Sequence, residues 1–155
     1  MISHEEGVLH QLVNKFSFLQ DKVKVPRPRR IFIEVSMPDF YAVFLFIKND
    51  LGFAHLCTIT GLDEGENIGL IYHLAREDGV LLNLKTCVPK NDPHLKSIIN
   101  DFPGAEIYER ELADLLGVRV EGLPEGCRYP LTDDWPHDQY PLRKDWKPNS
   151  NEDKK

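Results

Sequence analysis

Three groups of residues have side chains suited to chemistry. The first is Asp133, Asp134 and His137, two carboxylates and an imidazole close together in the chain. Such a set can sketch an acid–base site. A small stand-alone enzyme using His137 with Asp133 or Asp134 would work without partners. These residues lie on a proline-rich stretch, however, where nothing evident in the sequence holds their geometry. The second group is His55 and His73 on β-rich stretches, with Cys57 and Cys87 nearby in sequence or pairing, a candidate metal or redox carrier. Cys57, Cys87 and Cys127 are the three cysteines, and none of them forms a Cys-x-x-Cys pair. No zinc ribbon or iron–sulfur ligand run can be written from them, and structural, reduced thiols are the expectation.

The third group is charged. At about 100° per residue, Tyr108, Leu112, Leu115 and Leu116 share one stripe of a helix spanning Ala105–Leu116. Glu106, Arg110 and Asp114 lie together on the opposite face, spaced for pairing. Glu109 and Glu111 flank the apolar stripe, where they can face a basic patch on a partner. Further on, Pro141-Leu142-Arg143-Lys144-Asp145-Trp146 sets two cations beside an acid and an indole. Arg143 and Trp146 are residue types that anchor interfaces. Nucleotide-binding and nucleophile-elbow motifs are absent from the sequence.

The elements that must carry these groups are legible from periodicity. Val8, Leu9, Leu12, Val13, Phe16 and Leu19 predict one amphipathic N-terminal helix. A basic link broken by Pro26 and Pro28 follows, then a strand at Ile31–Val35. Ser36 and Asp39 form a helix start, and Phe40, Val43, Phe44, Ile47 and Leu51 turn inward up to Gly52. Ala54–Thr60, Ile68–Ala75 and Val80–Val88 read as strands, the first two joined by a polar loop from Gly61 to Asn67. Asp78-Gly79 predicts a two-residue hairpin, with Glu77 facing Val80 and Leu70 opposite Cys87. A short helix is expected after Asp92, carrying Leu95, Ile98 and Ile99.

From Gly117 on, prolines interrupt every long element, yet Tyr129, Leu131, Trp135, Tyr140, Leu142 and Trp146 are too apolar for a solvated tail. They need a surface to cover, either this domain or another chain. The division expected is an α/β globular unit over 1–117 and an extended partner-binding tail over 118–155, mobile in the free chain and frayed from Asn149 on. With 155 residues, 41% hydrophobic, the chain can form a real core, and a net charge of −6 argues against nucleic acid as a partner. The N-terminus lacks a basic and apolar leader, and the longest apolar run, Phe40–Ile47, is too short to span a bilayer. Membrane association is therefore expected only through a partner.

Glu109-Arg110-Glu111-Leu112-Ala113-Asp114-Leu115-Leu116-Gly117 and Pro141-Leu142-Arg143-Lys144-Asp145-Trp146 together resemble the 30 kDa-type subunit of NADH:quinone oxidoreductase (respiratory complex I). They equally resemble its counterparts in energy-converting, membrane-bound nickel–iron hydrogenases. Arg128-Tyr129-Pro130-Leu131 and Asp133-Asp134-Trp135 fit the same style. Phe53-Ala54-His55-Leu56, Gly61-Leu62-Asp63 and Tyr72-His73-Leu74 extend the likeness, which covers about residues 29–147. Where the respiratory branch has a histidine–proline pair, this chain reads Leu123-Pro124-Glu125-Gly126, which favours the hydrogenase-type branch over complex I itself.

The resemblance implies an α/β (α+β) fold: a mixed, largely antiparallel sheet covered by helices, with an irregular C-terminal segment. It implies no catalytic site and no cofactor in this chain; iron–sulfur and nickel–iron or quinone sites belong to partner subunits. The partners implied are the large subunit and the adjacent iron–sulfur small subunit, in an arm on the cytoplasmic face of the membrane. With the residue reading, this gives a partner-binding set of Glu109, Arg110, Glu111, Asp114, Tyr129, Trp135, Pro141, Leu142, Arg143, Lys144, Asp145 and Trp146.

Overall fold

The computed structural model describes residues 4–148. The expected fraying from Asn149 on lies outside these residues. Helix α1 spans His4–Lys15 and buries Val8 and Leu12. The predicted helix was to continue to Leu19, but the backbone leaves the helical region at Phe16 (φ −129°, ψ 85°). The Phe16 ring then meets Phe46 edge-on, with 5.5 Å between centroids, and a single 3₁₀ turn buries Leu19.

The basic link is a strand. β1 (Val23–Arg27) pairs antiparallel with β2 (Arg30–Glu34). Pro26 is tolerated because β1 is an edge strand, where a missing N–H donor breaks no ladder. α2 (Met37–Asn49) buries Phe40, Val43, Phe44 and Ile47 as its spacing requires. Ser36 precedes it, but its hydroxyl donates to the Asp39 carboxylate (2.5 Å) and caps no backbone amide.

β3 (His55–Asp63), β4 (Asn67–Ala75) and β5 (Leu81–Pro89) complete a sheet of order β1-β2-β5-β4-β3. β2 and β5 run parallel and the other pairs antiparallel. One face carries Ile31, Ile33, Leu82, Leu84, Leu70, Tyr72 and Leu74, all with no exposed surface. On it α2 stacks Phe40 over Tyr72, 4.7 Å between centroids. The opposite face presents Phe32, Ile71, His73, Asn83 and Lys85, each partly exposed.

The β4–β5 turn differs from expectation by one position. Gly69, not Leu70, lies opposite Cys87, and the last paired residues are Ala75 and Leu81. Arg76 N–H donates to Val80 O and Gly79 N–H to Arg76 O, with Gly79 at φ 80°. The loop therefore has three residues with a left-handed glycine at its end, rather than two. This register places Leu70, Tyr72 and Leu74 on the core face; the slipped one would have misaligned them with β5.

The helix expected after Asp92 is also a strand. β6 (His94–Lys96) pairs parallel with β7 (Arg119–Glu121). Leu95 is buried between exposed neighbours, a period of two, and Ile98 reaches the core from the turn beyond. The expected division at 117 falls at the end of helix α3 (Ala105–Leu116), and residues 119–121 still pair within the fold.

α3 covers the outer strand β3, where Gly61 sits beneath Leu112 and Leu116. A Cβ at Gly61 would overlap both leucine side chains. Gly61→Ala is expected to lower the unfolding free energy by about 1–3 kcal/mol through overpacking. Urea denaturation checks this; a loss below a few tenths of a kcal/mol would show that α3 does not seat this closely.

Candidate partner-docking surface

The site is built on α3 and on residues 122–148, here called the strap. Ala105, Leu112 and Leu116 face the core, and so does Glu109, which is fully buried. Its carboxylate accepts hydrogen bonds from Ser97 Oγ (2.6 Å) and Ile98 N–H (2.8 Å). Burial raises the Glu109 carboxyl above its ordinary range, and the Ser97 and Ile98 donors only partly oppose that. Sequence spacing placed Glu109 where it could face a partner. The structure instead encloses it in this chain, tying α3 to the turn after β6. Glu111 is half-buried on the other flank.

The face of α3 that spacing gave to a row of charges carries the strap. Arg110 pairs with Glu106 (2.8 Å), and the same nitrogen donates to Pro124 O (2.8 Å). Asp114 takes Arg128 Nε (3.2 Å) and Leu131 N–H (3.3 Å) rather than Arg110. Arg128 also donates to Trp135 O (2.5 Å). Within the strap, the Trp135 and Trp146 rings lie 5.9 Å apart, and both indole N–H groups donate to Gln139. Of the two surfaces open to these apolar groups, this chain or another, this chain supplies part: the two indoles cover one another.

Pro141–Trp146 returns to the end of α3. Gly117 leaves the helix at φ 72°, and the Tyr140 ring lies where a Cβ there would sit. The Arg143 guanidinium stacks on Tyr140 at 4.6 Å. Leu142 N–H donates to Leu115 O (3.1 Å), and Arg143 Nε to Leu116 O (2.7 Å). These carbonyls have no partner within the helix, and a cation beside them also suits the negative end of the helix dipole.

One residue further, Lys144 N–H donates to Asp63 Oδ2 (2.8 Å). Asp63 also accepts from Lys90 Nζ (2.7 Å) and Gly65 N–H (2.8 Å), and its side chain is 1% exposed. The Lys90 ammonium, with the Lys144 and Gly65 amides, holds its carboxyl well below the usual carboxylate range. Lys90 reaches on to Asp145 at 3.0 Å. The strap is therefore hydrogen-bonded at α3 and again at the sheet end.

What remains outward is limited. Leu142 is 54% exposed, and Tyr129 and Ile107 are each 44% exposed. Ile107 and Tyr129 line an open groove of about 580 Å³ between α3 and the strap, with Arg110, Cys127 and Arg128. Lys144 is exposed, while Trp135, Pro141, Arg143 and Trp146 are half-buried.

The other candidate groups are not assembled. Asp133, Asp134 and His137 are all exposed, and Asp134 is held by Thr132, not by His137. His137 borders a separate cleft with Asp114 and Arg128. His73 sits between Thr60 Oγ1 (2.9 Å) and Asn83 Oδ1 (2.6 Å). Cys57 and Cys87 lie on β3 and β5 with β4 between them. No group of three His, Cys, Asp or Glu side chains that could hold a metal ion occurs among the described residues.

Residues 33–152 match the family described as respiratory-chain NADH dehydrogenase, 30 Kd subunit. The chain belongs to this family. It is 31% identical to the C subunit of F(420)H(2) dehydrogenase from Methanosarcina mazei, over 90% of this chain and 89% of that one. To the beta subunit of the membrane-bound hydrogenase from Pyrococcus furiosus it is 28% identical, over 94% and 88%. A chain of the archaeal membrane-bound sulfane sulfur reductase superposes with a TM-score of 0.81 at 30% identity, over 92% of this chain and 85% of that one. Among the described residues of this 30 kDa-family chain, no helix is long and apolar enough to cross a membrane.

Glu109 yields a prediction. Glu109→Ala leaves the Ser97 hydroxyl proton and the Ile98 N–H without their acceptor, although Ser97 Oγ still accepts the Ile99 N–H, and should lower stability by about 1–3 kcal/mol. Glu109→Gln can keep both contacts without charge and should cost much less. Because the folded carboxyl is raised, the wild type should gain stability relative to the Gln variant as pH falls from neutral through that raised value. Denaturation curves across this window test it, and a difference that grows with pH in favour of the wild type would contradict it.

Proposed function

We propose that this chain is a non-catalytic subunit of the peripheral arm of a membrane-associated redox complex. It docks on the large subunit, with the iron–sulfur small subunit adjacent. The observation that carries this reading is the strap packed along α3: its backbone contacts hold Leu142 and Tyr129 outward beside Ile107 of α3, where water alone would not favour them. The relatives named as subunits of a membrane-bound hydrogenase and of F(420)H(2) dehydrogenase support it. Leu123-Pro124-Glu125-Gly126 supports the hydrogenase-type branch over an NADH:quinone oxidoreductase. Redox centres belong in the partners, the chain resides at the cytoplasmic face, and its own role is positional.

Leu142→Asp and Tyr129→Asp test this in cells where the tagged variant is the only copy. The isolated variants should keep wild-type stability within about 0.5 kcal/mol, since both sites are exposed. Recovery of the large subunit with the tag should fall at least about tenfold, as for loss of an interface anchor. Wild-type recovery with both variants would sink the docking surface. Nickel in the recovered wild-type complex, with none in the chain purified alone, would support the hydrogenase-type host; stoichiometric metal in the lone chain would overturn the cofactor-free role.

A further inference from the structure

Asp63 is ionised, almost wholly enclosed, and unable to touch a partner, yet it holds the segment that bears Leu142 and Lys144. Resting on the docking role proposed above, we infer that Asp63 is a positioning residue for assembly: its carboxylate sets the pose of the strap.

The geometry separates what is preformed from what is captured. Asp63 ends β3, and its Oδ1 accepts the Gly65 N–H, which turns the carboxylate at the sheet end. Lys90, one residue beyond β5, supplies the counter-charge on Oδ2. Neither belongs to the strap, so the end of β3 and the loops beside it build the acceptor. The strap then brings the Lys144 N–H, 81 positions away in sequence, to the same Oδ2. Lys144 follows Arg143 in a turn closed by Trp146 N–H donating to Arg143 O (3.1 Å). The contact therefore orients the whole turn.

The α3 end offers a different kind of anchor. Leu142 N–H and Arg143 Nε reach the Leu115 and Leu116 carbonyls, which exist whatever the side chains there. One anchor lets a segment pivot; a second, at the next residue and on another element, fixes its direction. Asp63 is that second anchor, and the Lys90–Asp145 pair reinforces it from the far side. Asparagine at 63 is nearly isosteric, but it loses the charge and must point its own N–H₂ at one of three donors. Asp63→Asn should therefore free the turn while leaving the α3 contacts.

Asp63→Asn also weakens the Lys90 pair, so strap and sheet effects must be separated. Lys144→Pro removes the strap's N–H donor and leaves the Asp63–Lys90 pair in place, at a turn position that proline favours. Lys144→Ala keeps the amide and controls for the exposed side chain. In the isolated full chain, hydrogen exchange of the Leu142, Arg143 and Trp146 amides should speed up by about tenfold to a hundredfold in Asp63→Asn and Lys144→Pro, as for loss of a charge-assisted bond. Lys144→Ala should exchange like the wild type. On native gels of membranes from cells expressing each variant, the assembled fraction should fall at least about tenfold for the first two, in step with exchange. Unchanged exchange in Asp63→Asn would overturn the clamp. Fast exchange with wild-type assembly, or wild-type assembly of Lys144→Pro, would overturn its role in docking. A wild-type chain never found in a complex would remove the docking role itself, while the exchange arm would still decide whether Asp63 holds the strap.

Discussion

The end of α3 imposes the constraint on which the strap, residues 122–148, depends. A helix leaves its last carbonyls without intrahelical partners, and here two of them, Leu115 and Leu116, are met by Leu142 N–H and Arg143 Nε. The left-handed turn at Gly117 clears room for Tyr140, and the Arg143 guanidinium lies between that ring and the helix end. The strap is thus a cap for the helix as well as a surface. Its course follows from backbone groups that must be paired.

Two buried carboxylates extend that constraint in opposite directions. Glu109 faces inward and joins α3 to the turn after β6 through Ser97 and Ile98. Asp63 joins the far end of the sheet to the strap through Lys144. Their electrostatic settings differ for a clear reason. Glu109 has only neutral donors against its desolvation, so its proton is held more tightly. Asp63 has an ammonium beside it, so its proton is lost more easily. Charge placed inside the fold serves connection between elements, and the exposed charges are left for the surface.

The consequence for function is a division of labour within one short motif. In Pro141–Trp146 the main chain, Arg143, Asp145 and the Trp146 indole N–H are engaged within the chain, and Leu142 and Lys144 project from it. A family signature of this kind need not mark direct contact with a partner at every position. Several of its residues hold the backbone so that a few others can be presented, which lowers the ordering cost of association.

Periodicity alone determined α2, α3 and the three long strands, because burial of one face repeats at 3.6 or 2 residues within a contiguous stretch. The two motifs carrying the family resemblance were also legible without coordinates. Periodicity did not reveal β1, hidden by Pro26 on an edge strand, nor β6, where Leu95, Ile98 and Ile99 imitate helical spacing over a single buried strand position. It placed the β4–β5 turn one residue off, because Gly79 serves a left-handed bulge rather than a two-residue turn. The roles of Glu109, Asp114, Arg143 and Asp63 were decided only by tertiary structure. Their partners, Ser97, Arg128, Leu116 and Lys144, lie 12 to 81 positions away, and no local spacing rule encodes a pairing that the fold itself creates.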